Sequence, residues 1–270
     1  MGQLTDTHCH LNLNPFQEHL DQTLERAWKR GIGRILIPGI DVETSRTAVA
    51  LAERHEHLYA AVGVHPGDAS TWQEDTLAIL RELAQHPKVA AIGEIGLDYY
   101  RDRSPRPIQH QVFEAQLALA AELALPVVIH NRDSIDDLWK TLSEWQAALA
   151  SNGSALAGRP GVLHSYDGPL QMAQQAATQG FFIGISGPVT YKNAHERQEM
   201  VSALPLKHLL IETDAPFLTP HPYRGHWPNE PAYVVYVAEK IAELHNQPQE
   251  TVTQTTWDNA AQLFNWGANS

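Results

Sequence analysis

Short runs rich in Val, Ile, Leu and Phe recur along the chain, separated by longer stretches in which apolar residues fall three and four positions apart. The runs are Leu4 to His10, Arg34 to Ile40, Leu58 to His65, Val89 to Leu97, Val127 to His130, Val162 to His164, Phe181 to Ile185 and Leu209 to Thr213. Between them, Asp21 to Arg30, Thr44 to Arg54, Glu74 to Gln85, Gln109 to Leu123 and Ile135 to Leu149 carry helical spacing, and most such stretches end near Gly or Pro. Strands alternating with helices predict an α/β fold with a parallel sheet. Eight such units in 270 residues predict a (β/α)8 TIM barrel, since an open doubly wound sheet typically carries fewer strands. No Gly-x-Gly-x-x-Gly turn follows the first run, so the dinucleotide-binding signature is missing. The Gly- and Ser-rich stretch Ser151 to Gly161 reads as a loop entering the sixth strand, and a single domain over 1–270 is expected. The proline-rich stretch Ala215 to Pro231 follows the eighth strand and is expected to lie over the barrel mouth.

A barrel of this kind places its active site at the carboxyl ends of the strands, so the last residues of each run test the reading independently. These ends are polar: Asp6-Thr7-His8-Cys9-His10, then His65, Glu94 and Asp98, His130 and Arg132, His164, and Glu212 with Asp214. His8 and His10, two apart on a strand, point to one side while Cys9 points to the other. An isolated histidine is ordinarily a satisfied core or surface ring. Here His8, His10, His130 and His164, with Glu94 and Asp214, supply six nitrogen and oxygen ligands from five strands, enough for two divalent ions. A carbamylated lysine, one possible bridge between two metals, has no candidate at a strand end. Glu94 is the better bridge, because a carboxylate inside the apolar run Val89 to Gly96 needs a cation or strong donor and no basic residue lies in that run. The remaining histidines lie in or beside helical stretches, apart from His221 and His226 in the expected lid, and the 7 tryptophans read as core and rim packing without a base-stacking stripe.

Charge narrows the function classes. With 19 Lys and Arg against 31 Asp and Glu, the net charge is −12, which disfavours a protein that coats a long polyanion. Bound divalent ions can still invert the field inside a pocket, so an enzyme acting on a nucleic-acid end stays open. The most apolar stretch, Ala115 to Ile129, is broken by Gln116 and Glu122, so no membrane contact is expected. The start, Met1 to Asp6, carries no export or anchoring pattern, and the single Cys9 cannot form an internal disulfide, so a cytoplasmic location is expected.

Five motifs together resemble the TatD family of metal-dependent hydrolases: Asp6-Thr7-His8-Cys9-His10, Gly63-Val64-His65-Pro66, Gly93 to Tyr99, Pro126 to Asp133, and Ile211 to Pro216 with Asn229-Glu230-Pro231. The resemblance spans nearly the whole chain and implies a TIM barrel with a divalent-metal site, in a family whose characterised members include deoxyribonucleases with 3′ to 5′ exonuclease activity. By position it implies that His8 and His10 bind one metal, Glu94 bridges, His130 and His164 bind the second, and Asp214 completes the first. Two such ions would activate water near neutral pH and clamp the oxygens of a phosphodiester or carbonyl. Asp214 is then the candidate to orient or deprotonate the attacking water, with Glu212 behind it. Arg132, Lys192 and Arg224, on loops beyond strand ends, are candidates to hold a substrate phosphate, and His65 to contact the scissile group or the leaving oxygen.

One segment departs from the family pattern. The sixth-strand motif, commonly His-Cys-Phe-Ser-Gly, reads His164-Ser165-Tyr166-Asp167-Gly168, which places a carboxylate near the pocket. The motifs and the two-metal ligand set point to a DNA end or a small phosphodiester as partner; the acidic surface and Asp167 motivate the alternative, an amide, lactone or small phosphoester, and a catalytically idle metal-binding barrel is a third reading. No obligate protein partner is expected, and imidazole with carboxylate suits Zn, Mn, Fe or Ni, with Mg also possible.

Overall fold

Eight strands lie in one sheet in chain order, each beside its neighbour in sequence. The computed structural model describes residues 3–101 and 103–266. The strands are β1 (Leu4–Asp6), β2 (Ile32–Pro38), β3 (Leu58–Val62), β4 (Val89–Asp98), β5 (Val127–Arg132), β6 (Gly161–Leu163), β7 (Phe182–Ile185) and β8 (Leu209–Ile211). The helices are α1 (Asn14–Gln17), α2 (Leu20–Lys29), α3 (Val42–Arg54), α4 (Thr76–Leu83), α5 (Arg106–Leu123), α6 (Ile135–Ser151), α7 (Leu170–Thr178), α8 (His195–Ala203), α9 (Val234–His245) and α10 (Gln249–Phe264). The fold is the expected (β/α)8 barrel, and each of the eight apolar runs overlaps one strand, with β2, β4, β5 and β6 extending one or two residues beyond their runs. Several strands stop short of the polar residues that close their runs, as in Leu4–Asp6 and Leu209–Ile211, because the backbone beyond them leaves regular ladder pairing. Cys9 and Ala215, for instance, meet in a single parallel bridge. Among the described residues, no helix is long and apolar enough to cross a membrane.

The chain divides into two compact units. One comprises the described residues of Met1–Ile37, Ser165–Ala177 and Phe182–Ser270 and carries β7, β8, β1 and β2. Within it β7 pairs with β8 and β1 with β2, and Thr7 N donates to Ile211 O at 3.1 Å where β1 runs beside β8. Its core is Ile35, Leu36, Ile37, Ile183, Leu209, Leu210 and Ile211, all buried, covered by Ile241 of α9 and Leu263 of α10. Buried Asn259 of α10 donates to Leu206 O and Leu209 O, both at 2.8 Å, which satisfies the carbonyls at the entry to β8.

The other unit comprises Pro38–His164 and Thr178–Phe181 and carries β3 to β6, paired in order. All ten residues of β4 are buried, as expected of a parallel strand covered on both faces, and its sequence is accordingly a near-continuous apolar run around Glu94 and Asp98. Helix α3 begins in a capping box: Asp41 accepts from Thr44 N at 2.7 Å and Thr44 Oγ1 contacts Asp41 N at 3.0 Å. Helix α5 presents Val112, Phe113, Leu117 and Ala120 to the core, with Gln109 and Gln116 buried on the same helix.

Candidate metal centre

In the unit that carries β1 and β8, the candidate ligands sit on two extended segments that leave those strands side by side. Asp214 N donates to His8 O at 2.8 Å and His10 N to Ala215 O at 2.7 Å. This pairing holds both imidazoles in place although β1 ends before them. Their Nε2 atoms are 3.1 Å apart, and lie 3.7 Å (His8) and 3.5 Å (His10) from Asp214 Oδ1. Donor atoms at about 2.0–2.2 Å from one cation stand about 2.8–3.1 Å apart at octahedral and about 3.3–3.6 Å apart at tetrahedral angles, so this triangle is close to what a divalent ion takes. Cys9, between the two histidines, is a fully buried free thiol whose pKa burial pushes up, as expected of an inert small side chain.

Asp6 binds the two segments together. Its carboxylate accepts from Thr213 N at 2.9 Å, Thr213 Oγ1 at 2.6 Å and His8 N at 3.3 Å. Burial raises its pKa to about 8, against the opposing effect of those hydrogen bonds. Glu212 serves the strands: it accepts from Ser165 N and, at 3.5 Å, from Thr7 Oγ1. A Cβ on Gly184 would stand 2.6 Å from Glu212 Oε2, so the carboxylate occupies space that only a glycine leaves.

The β3–β6 unit builds its set from side chains on four strand ends. Glu94 Oε1 lies 2.9 Å from His130 Nδ1 and 3.0 Å from His164 Nε2, and these two nitrogens are 3.5 Å apart. That triangle has the edges of a second divalent-cation site. The other nitrogen of His130, Nε2, lies 3.3 Å from Asp98 Oδ2. Burial raises the Asp98 pKa, but the hydrogen bond from His130, the Arg101 backbone donor and the charges of His130 and His65 outweigh it and bring the group to about 2. For His130, burial lowers the pKa and is outweighed by the bonds to Asp98 and Glu94, so the net shift is upward. His65 Nδ1 accepts from Gly67 N at 2.9 Å, which leaves the ring proton on Nε2, 3.7 Å from Glu94 Oε1. His65 therefore points a donor, not a lone pair, toward the carboxylate.

Two buried glutamines of α5 hold these loops. Gln116 accepts from Val64 N at 2.7 Å and donates to Val64 O at 3.0 Å, fixing the residue before His65. Gln109 accepts from Asp98 N at 2.9 Å and donates to Asp98 O at 3.0 Å and Ser104 O at 2.8 Å. Gly96, with φ +144°, lets β4 approach β5 where the ligands emerge: a Cβ there would meet His130 O.

Of the six expected metal ligands, His8, His10 and Asp214 lie together within one unit, and Glu94, His130 and His164 within the other. Sequence reasoning placed Asp98 at a strand end without giving it a partner, and it passed over Gln109 altogether. The signal was available, since polar residues on the apolar face of a helix call for hydrogen-bond partners. The cationic candidates are exposed: Arg132 at the end of β5 lies over the Tyr100 ring at 4.8 Å, and Arg224 over the Tyr191 ring at 4.0 Å, with Lys192 one residue beyond Tyr191. His221 and His226 of the expected lid are exposed. Asp167, the departure from the family pattern, is exposed and faces Arg197 of α8 at 3.9 Å.

The model of the family described as TatD related DNase matches residues 5–265. The chain belongs to this family. The TatD family thereby brings a metal-dependent hydrolase function to a chain whose His and Glu side chains, Glu94-His130-His164 among them, can hold metal ions. It is 44% identical over 261 residues to the uncharacterized metal-dependent hydrolase YabD of Bacillus subtilis, covering 97% of this chain and 98% of that one. It is 35% identical over 265 residues to the 3′-5′ ssDNA/RNA exonuclease TatD of Erwinia tasmaniensis, covering 96% and 99%. The crystal structure of the TatD homologue YjjV from Escherichia coli superposes with a TM-score of 0.89 at 34% identity, covering 97% of this chain and 98% of that one.

Proposed function

We propose that this TatD-family hydrolase is a phosphodiesterase with a binuclear divalent-metal site that removes nucleotides from single-stranded DNA ends in the 3′ to 5′ direction. The observation that carries the reading is the pair of ligand triangles, each with donor spacings suited to one divalent ion. In this reading His8, His10 and Asp214 would hold one ion, and Glu94, His130 and His164 would hold the other. Zn, Mn or Mg in those positions supplies water activation and charge neutralisation for an in-line displacement.

The chain's own residues do the rest. Asp214 carries one oxygen toward the imidazoles of His8 and His10, and its second oxygen orients the attacking water and takes its proton. His65 donates its Nε2 proton in a hydrogen bond to the scissile group or to the departing oxygen. Arg132, Lys192 and Arg224, all exposed, provide positive charge for flanking phosphates in a chain of net charge −12. Relatives named as 3′-5′ ssDNA/RNA exonucleases support the polarity and the single-stranded substrate. The small-molecule alternative drew on the acidic surface and on Asp167, which is exposed and faces the Arg197 guanidinium at 3.9 Å.

The test is release of mononucleotides from 3′-labelled and 5′-labelled single-stranded DNA, and from RNA of the same sequence. Chelator-stripped protein is reloaded separately with Mg, Mn and Zn, beside Glu94→Ala. Metal-dependent release that the variant lacks, beginning at the 3′ end, is the expected result. Turnover of small esters or amides with intact oligonucleotides would move the assignment to the alternative.

A further inference from the structure

The segment after β8 carries a feature that the proposed chemistry does not use. Phe217 and Trp227 are large aromatic side chains left 43% and 61% exposed, and their ring centroids are 5.7 Å apart at an interplanar angle of 51°. Phe217 also meets the ring of His10, a metal-ligand candidate, edge to face at 6.1 Å. An exposed Trp beside an exposed Phe keeps apolar area in water whose burial under a ligand would be favourable.

The platform is built, not incidental. Asn229, fully buried, donates to Thr213 O at 2.9 Å and Phe217 O at 2.6 Å, and Phe217 N donates to Asp214 O at 2.8 Å. The aromatic ring is therefore referenced to the backbone that positions Asp214. Thr219 Oγ1 donates to His226 O at 2.8 Å, tying together the two limbs that present Phe217 and Trp227. A Cβ on Gly187 would collide with Leu218 O, so a glycine is what lets the loop seat beside β7. Tyr191, under the Arg224 guanidinium, donates to Thr219 O at 2.9 Å, which brings a cation to the same loop.

We infer that Phe217 and Trp227 form a stacking platform for an unpaired nucleobase next to the scissile phosphodiester. This rests on the single-stranded nucleic-acid function proposed above. A chain of net charge −12 gains little from general attraction to a polyanion, so contacts insensitive to that charge add what the few local cations do not supply. Stacking on aromatic faces is such a contact, and it accepts any base. Bases in a duplex are covered by their neighbours, so the platform also selects single strands.

The full-length chain loaded with Mn is titrated with fluorescein-labelled oligothymidylate whose 3′-terminal linkages are phosphorothioate to slow cleavage. The same oligomer with abasic residues at its three 3′ positions, and the oligouridylate, are titrated in parallel. Trp227→Ala and Phe217→Ala are each expected to raise the Kd for the intact DNA about tenfold or more, with a similar loss on the RNA. Trp227→Phe is expected to stay within about threefold of the parent. The abasic oligomer should bind the parent and both alanine variants alike, as the cycle of base removal and side-chain removal requires. Alanine variants that bind the intact strand like the parent overturn the platform alone. A parent that neither binds nor trims any oligonucleotide overturns the nucleic-acid function and the platform with it. Sedimentation showing a dimer that Trp227→Ala dissociates would assign the patch to a second copy of the chain and overturn the proposal.

Discussion

The two units reach similar ligand triangles by different means. In the unit carrying β1 and β8, the backbone does the positioning: paired extended segments carry His8, His10 and Asp214, and the buried Asp6 carboxylate binds Thr213 to the amide of His8. In the β3–β6 unit the side chains position one another, with His130 held between Glu94 and Asp98 and the loops secured by Gln109 and Gln116 from α5. Backbone pairing makes a ligand set tolerant of its neighbours. A side-chain network depends on every member, because removing one partner leaves a buried polar group unsatisfied. The second set should therefore be the more fragile of the two.

Glu94→Ala should have the largest effect, bringing turnover below detection and lowering bound metal measured by atomic emission. His10→Ala, in the backbone-held set, should also lose activity yet retain the metal of the other set, and retention of no metal would erase the contrast. Asp98→Ala should reduce metal affinity or turnover about 10- to 100-fold, since it removes the carboxylate that orients His130. Metal titration of the variant checks this, and an unchanged affinity would mean that Glu94 alone holds the ring. Gln116→Ala should cost about 1–3 kcal/mol in denaturant unfolding by leaving both Val64 backbone groups without their partner. The smallest effect should come from Asp167→Asn, within about 0.5 kcal/mol in stability because its contact with Arg197 is exposed and long. Its rate in the oligonucleotide-release assay should also stay close to the parent's, and a large gain would restore the charge at Asp167 as a determinant of substrate.

Much of this could be read before any coordinates. Eight apolar runs announced the strands, and the polar residues closing them named all six members of the two triangles. What was hidden belongs to partners distant in sequence. Asp98 and His130 are 32 positions apart, Gln116 and Val64 52, and Asp6 and Thr213 207, so no local pattern ties them. Trp227 was one of 7 tryptophans, and although its proline-rich stretch was expected to lie over the barrel mouth, the sequence did not show that its ring stays exposed while the others are buried or half-buried.

By itself, then, the sequence determined the element order, the barrel and the chemical types of the ligands, because hydrophobic periodicity and strand-end polarity are local properties that the chain carries everywhere. Only the tertiary structure decided which nitrogen of each imidazole faces a carboxylate, which carboxylates accept from backbone amides, and which aromatics stay in solvent. Those depend on distances of a few ångströms between residues that meet only after folding. Hydrogen bonding and desolvation are decided at that range.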